Sequence, residues 1–363
     1  VKDGIDLAEY SGYQGDQDAL ADGFGGAFVV WQDERGADSD VYVQRVDALG
    51  DELWTPGGVN LTSGVSGDQR VARMVSDGVG GIFVAYEDDN GGTFDIKAQR
   101  VDAAGNVLWM SGGVTLCAET GDQKYVVVLS DGAGGMIAVW EDSRSGNKDV
   151  YAQRVNNAGF GQWAVNGVAI CTEANNQSDI SIVASGVGGA LIVWQDLRNG
   201  TDWNIYAQRI NSSGTPLWTA NGVVVCDETL GQWGPDTVSD GADGAFVTWT
   251  DQRNGSDDDV YAQRILSTGL RGWPVAGVGV NTATGDQWDP EIATDGAGGA
   301  IIAFTADGGL NEDNIRVQRF NSTGSALWST GGKEICGMGG IQEYAEIIAA
   351  EGGGAFIAWE DQR

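Results

Sequence analysis

The chain has 363 residues, 42% of them hydrophobic, which is enough to bury a sizeable core and excludes a disordered protein. Its 52 acidic residues against 20 basic ones give a net charge of -32, a surface that repels nucleic acid and anionic lipid, and the absence of histidine excludes His-based triads and His metal ligands. No apolar run approaches the roughly 18 residues of a membrane span, which argues against membrane insertion; no signal peptide is visible at Val1, so a secretion signal, if there was one, has been removed or lies outside this sequence.

Read in chain order, one pattern returns. A glutamine recurs at Gln14, Gln69, Gln123, Gln177, Gln232, Gln287 and Gln342, 54 or 55 residues apart. Seventeen residues after each comes an aromatic: Trp31, Tyr86, Trp140, Trp194, Trp249, Phe304 and Trp359. A Gln-Arg pair follows in six repeats, ending at Arg45, Arg100, Arg154, Arg209, Arg264 and Arg319. Another tryptophan comes next, at Trp54, Trp109, Trp163, Trp218, Trp273 and Trp328.

Each repeat reads as four short strands. The first follows the glutamine and ends in a turn such as Ser76-Asp77-Gly78-Val79-Gly80-Gly81. The second is apolar (Ala27-Phe28-Val29-Val30-Trp31), the third is of the Val150-Tyr151-Ala152-Gln153-Arg154-Val155 type, and the fourth runs through Gly113-Val114-Thr115-Leu116. The 58 glycines and only 5 prolines suit many tight turns, and no segment keeps a helical period. Four strands in about 55 residues is the size of a propeller blade. The expected fold is therefore all-β: a seven-bladed β-propeller of four-stranded antiparallel blades, forming one domain over residues 1–363. The seventh repeat lacks its third strand within this chain. Gly4-Ile5-Asp6-Leu7 matches the fourth strand Gly58-Val59-Asn60-Leu61, so the N-terminal strand is expected to close the last blade. The missing third strand then lies beyond Arg363 or comes from a neighbouring subunit, because an unpaired edge invites another strand.

The repeats resemble the tandem Trp-x-Asp-x-Arg … Val-Tyr-Ala-Gln-Arg repeats of large secreted and surface-displayed bacterial proteins, most clearly in Trp140-Glu141-Asp142-Ser143-Arg144 and Val150-Tyr151-Ala152-Gln153-Arg154. The resemblance covers essentially the whole chain. It implies a propeller on an exported, extracellular or cell-surface protein and says little about activity. Repeat 6 departs from the pattern, with Ala306 and Gly308 where Asp and Arg usually stand.

Candidate chemistry lies in carboxylates and aromatics. Asp33, Asp88, Asp142, Asp196, Asp251 and Asp361 stand two residues after the aromatic, and Asp40, Asp95, Asp149, Asn204, Asp259 and Asn314 precede the third strand. Oxygen ligands so spaced fit calcium, with Asp88, Asp89, Asn90 and Asp95 the best group and Asp33, Asp40, Asp142, Asp149, Asp251 and Asp259 the others. The simpler reading pairs each Asp with the Arg two residues on, since i and i+2 of a strand share a face. Trp203, Trp233, Trp288 and Tyr125 are candidate sugar-stacking residues. Cys117, Cys171, Cys226 and Cys336 occupy one site in four repeats; equivalent sites on adjacent blades lie too far apart for a disulfide, so buried thiols are expected. There is no Gly-x-Ser-x-Gly, P-loop or CxxC motif. The expected function is a non-catalytic structural or adhesion propeller that self-associates on the cell surface. The alternatives are a glycan-binding propeller and, behind it, a glycoside hydrolase working through two carboxylates.

Overall fold

The computed structural model describes residues 7–8, 10–89, 91–309 and 312–363, and these contain strands, turns and no helix. No helix is long and apolar enough to cross a membrane. The strand expected to close the last blade falls on residues 4–6, outside the described residues, as does Asn90.

Seven antiparallel sheets follow one another along the chain, and six of them are four-stranded meanders in sequence order. Their first strands are Gln14–Ala21, Gln69–Ser76, Gln123–Ser130, Gln177–Ala184, Gln232–Ser239, Gln287–Thr294 and Gln342–Ala350, each opening on the recurrent glutamine. We number the sheets as blades 1 to 7. Blade 7 has two strands, the second being Gly354–Asp361.

The chain divides into two compact units: residues 1–170 with 212–214, and residues 171–211 with 215–363. In the first, blades 1, 2 and 3 pack face to face. The second strand of blade 2, Ile82–Asp89, shows how alternation serves two cores at once. Ile82, Val84 and Tyr86 pack with Phe28, Val30 and Val43 of blade 1, while Phe83 and Ala85 pack with Met136, Ala138 and Trp140 of blade 3. In the second unit the same alternation joins blades 4 to 7. Leu191 and Val193 meet Val247 and Trp249, Phe246 meets Ile302 and Phe304, and Ile301 and Ala303 meet Ile347. A blade is apolar on both faces, so neighbours complete its core.

The repeat markers are mostly structural. The second Gln of each repeat is a buried amide that satisfies three backbone groups of its own blade. Gln44 accepts from the N–H groups of Arg45 and Trp54 and donates to the carbonyl of Thr55 (2.9, 3.1 and 2.9 Å). The following Arg bonds back to the aspartate of the first turn, Arg45 to Asp22 at 2.8 Å and Arg100 to Asp77 at 2.8 Å. That aspartate also accepts two turn N–H groups, as Asp77 does from Val79 and Gly81. The outer tryptophan then grips the next turn: Trp54 Nε1 donates to Ala103 O at 3.2 Å, and Trp273 Nε1 to Ser322 O at 3.1 Å. The ring lies on a glycine of that turn. A Cβ on Gly105 (φ +85°) would stand 2.7 Å from Trp54 Cγ.

The Trp-x-Asp-x-Arg and Val-Tyr motifs form a single buried device. Asp142, fully buried, accepts Trp140 Nε1 at 2.9 Å and Arg144 Nε at 2.8 Å, and the Arg144 guanidinium lies 3.9 Å over Tyr151. Blades 4 and 5 repeat it with Asp196/Arg198/Tyr206 and Asp251/Arg253/Tyr261. Blade 1 does so with Asp33, Arg35 and Tyr42.

Candidate functional site

Symmetry breaks in the first strands. In all seven the register slips by one residue within the opening turn of the strand, as between Trp233/Asp236 and Trp288/Glu291. The third residue of each bulge has positive φ: Asp16 (50°), Val71 (48°), Tyr125 (55°), Asp179 (50°), Gly234 (59°), Asp289 (47°) and Tyr344 (55°). Only one is glycine, and Val71 is β-branched, so each of the other six stores about 1–3 kcal/mol of backbone strain. Strain held in register by every blade marks these bulges as a working surface. Side chains of the preceding blade brace them: Glu87 Oε1 accepts the Tyr125 N–H at 2.7 Å, and Gln195 Oε1 accepts the Gly234 N–H at 3.2 Å.

In the second unit the bulges carry carboxyl groups. Position five of the first strand is Ser181, Asp236, Glu291 and Glu346 on blades 4 to 7. Asp236 accepts the Ser181 hydroxyl at 3.1 Å, its neighbour Thr237 N–H at 2.7 Å and the Ile292 N–H of the next strand at 3.0 Å. It also takes a hydrogen bond from the Glu291 carboxyl. Burial, then the adjoining Asp236, Glu346 and Asp289 carboxylates, push Glu291 up to about 9. Burial raises Asp236 and Asp289 too. With three donors already on Asp236, the proton shared by the pair sits on Glu291 at neutral pH. Trp233 and Trp288, both half-buried, and exposed Tyr344 flank these residues on the same strands.

The first unit places a different chemistry at its bulges. Arg70 and Lys124 stand at one position on blades 2 and 3 and share one ring, Arg70 Cζ 3.9 Å and Lys124 Nζ 4.4 Å from the Phe94 centroid. Lys148 Nζ lies 5.1 Å over Tyr125.

Of the sugar-stacking candidates, Trp203, Trp233 and Trp288 belong to the second unit and Tyr125 to the first. Trp203 holds the loop before the third strand of blade 4, where its carbonyl accepts the Gln232 N–H at 2.8 Å. No ring stacking joins the four among the described residues.

The calcium candidates are engaged in protein contacts. Asp33, Asp142 and Asp251 are filled by Trp and Arg donors. Asp88, with Tyr86 and Asn90 replacing the usual Trp and Arg, is paired by Lys97 at 2.6 Å; that lysine stands where other blades have the tyrosine. Burial and Asp88 hold Asp95 above the usual range, and Asp89 Oδ1 accepts the Gly92 N–H at 2.9 Å. Asp40 accepts from Asn60 and Thr62, and Asp149 from Asn147. Asp259 accepts Asn254 Nδ2 at 2.8 Å and is pushed to about 6 by burial and by Asp257. Among the described residues no group of three acidic or thiol side chains is placed to hold a metal ion. The four cysteines are buried and unbridged; burial pushes Cys117, Cys171 and Cys226 to about 12.

The chain shares its fold with solved structures. One, a polysaccharide lyase of a new family, PL25 ulvan lyase, bound to -[GlcA(1-4)Rha3S]-, aligns with 12% identity over 90% of this chain and 84% of its own, TM-score 0.54. A second structure titled as PL25 ulvan lyase gives 11%, 90%, 83% and 0.52. A protein of unknown function from Dyadobacter fermentans aligns at 9% identity, over 85% of this chain and 95% of its own, TM-score 0.46. The fold is a β-propeller. No family model matches the sequence, and no curated protein does.

The expectation of a non-catalytic structural or adhesion propeller, not an enzyme, is corrected here. It rested on loops that look equivalent and on absent motifs. The fold is one that a polysaccharide lyase uses, and the asymmetry lies in the first strands, where Asp236 and Glu291 hold a shared proton. A carboxyl pair drawn from strands 55 residues apart leaves no local motif.

Proposed function

We propose that the chain is a carbohydrate-active enzyme that cleaves a glycosidic bond in a polysaccharide, with Glu291 as the proton donor. The observation that carries this reading is the Asp236–Glu291 pair, which keeps a carboxylic acid protonated at neutral pH beside an anchored carboxylate. Neighbouring carboxyls whose environments separate their protonation states are how acid and base roles are assigned. In this account Glu291 gives its proton to the leaving oxygen, and Asp236 fixes the rotamer of Glu291. Glu346, exposed on the next first strand, is the second carboxylate that accepts a proton. Trp233, Trp288 and Tyr344 supply faces on which sugar rings stack. The propeller fold shared with a polysaccharide lyase supports the substrate class. The resemblance to exported repeats and the net charge of -32 support an extracellular setting.

The test incubates the purified chain with a panel of neutral and acidic polysaccharides and follows new reducing ends and the ultraviolet absorbance of unsaturated uronates. The account expects cleavage of at least one polymer and a loss of 10²-fold or more in Glu291→Gln, the scale of general acid catalysis. No cleavage by the wild type, or equal cleavage by E291Q, would sink it. Binding without cleavage would favour instead the glycan-binding alternative, carried by Trp203, Trp233 and Trp288.

A further inference from the structure

The basic residues of this acidic chain sort into two groups. Most serve the repeat: Arg35, Arg144, Arg198, Arg253 and Arg363 pair with the aspartate two residues before them. Arg45, Arg100, Arg154, Arg264 and Arg319 pair with the aspartate of the first turn. Arg70, Arg73, Lys124 and Lys148 do neither, and all four lie on blades 2 and 3.

Three of them meet at one place. Arg70 and Lys124 flank the Phe94 ring, and Lys148 lies over Tyr125, which is 54% exposed on its strained bulge. Arg70 spends only its Nε, on Glu87 at 3.3 Å, and its two Nη groups meet no acceptor among the described residues. Glu87 is 1% exposed and raised by burial, so its charge is the weaker offset to the cations around it. Lys148, 40% exposed, contacts Glu141 at 2.8 Å, and Lys124 contacts Asp122 at 2.6 Å. The result is a cationic and aromatic island on a chain of charge -32. At physiological salt, charges beyond about 8 Å are screened, so a bound group feels the island rather than the whole chain. A planar ring, an exposed phenol and a guanidinium fork with unused donors suit a sugar ring bearing an anionic group.

We infer that Arg70, Lys124 and Lys148, with Phe94 and Tyr125, form a binding site for an acidic saccharide, one carrying a carboxylate or a sulfate ester. This rests on the carbohydrate reading above but is tested without cleavage. Isothermal titration of the full chain uses three probes: oligogalacturonate for the carboxylate, dextran sulfate for the sulfate, and dextran as the neutral polymer. At least one acidic probe is expected to bind, with affinity falling steeply with salt, and dextran at least tenfold more weakly. Lys124→Gln/Lys148→Gln is expected to weaken that binding at least tenfold, the scale of one lost charged hydrogen bond. Lys148→Gln alone, at an exposed site, should weaken it about threefold if the double variant does not fold. Glu291→Gln should bind as the wild type, so binding without cleavage defeats only the catalytic reading. Equal affinity for dextran, no binding of either acidic probe, or undiminished binding by the lysine variants would overturn the inference.

Discussion

Replacing Glu291 by Gln removes one titration and little else. The amide keeps the shape and still donates to Asp236, so the fold is expected to survive. What changes is the response to pH. Glu291 ionises near 4.5 in an unfolded chain and at about 9 in the folded one. Between those values the folded state binds one proton more than the unfolded state, so the contribution of Glu291 to stability is fully present below about 4.5 and is lost as pH rises through about 9. The ceiling on that loss is about 1.4 kcal/mol per pH unit. Other carboxyls tilt the other way: Asp22, Asp33 and Asp102 lie below the usual range and add stability as pH rises. The difference between wild type and E291Q cancels them. Urea unfolding of both proteins at about pH 5.5, 7 and 8.5 should therefore show the wild type losing ground to E291Q at each step, by up to about 2 kcal/mol per step. A difference that stays flat with pH would refute the shared proton, and one that rises would place the proton on the wrong side of the pair.

Three further outcomes follow from the repeat device. Asp142→Asn leaves the Arg144 guanidinium facing a neutral partner in a buried site, and the expected loss is about 3–5 kcal/mol by denaturant unfolding; a loss under about 1 kcal/mol would show that the pair carries little. Gly105→Ala places a Cβ against the Trp54 ring at positive φ, and should cost about 1–3 kcal/mol, more than Gly78→Ala, whose Cβ meets nothing. With the aspartates of the loops engaged by Arg, Trp or Lys donors, the unfolding temperature should be the same in calcium and in EDTA. A rise of several degrees in calcium would restore those loops as ligands. The Cys117, Cys171 and Cys226 thiols, buried and pushed to about 12, should resist alkylation in the folded chain and react once it is denatured.

The repeat made the blades legible. Alternating apolar residues such as Ile82, Val84 and Tyr86 declare strands, and a period of 54 or 55 residues sets their number. The pairing of Asp142 with Arg144 was readable because i and i+2 share a face. Other features depend on neighbours the sequence does not place. The recurrent glutamines suggested amides tying blade to blade. In the fold the Gln69 amide donates to Gly67 O at 2.8 Å, and it is the backbone N–H that reaches the preceding blade, at Ser39 O. The bulges were hidden because their third residues, Asp16, Val71, Tyr125 and Gly234 among them, share no residue type. The Asp236–Glu291 contact joins like charges, which no pairing rule suggests; it exists because burial makes one of them neutral. The one readable trace was the row Ser181, Asp236, Glu291, Glu346, each four residues after its glutamine.

The most direct measurement is the pH–rate profile for cleavage of the best polysaccharide substrate, wild type beside E291Q. The account predicts a rate that holds through neutral pH and falls on the alkaline side as Glu291 deprotonates near 9, with E291Q slower by 10²-fold or more at every pH. An alkaline limb that survives unchanged in an equally active E291Q would contradict it.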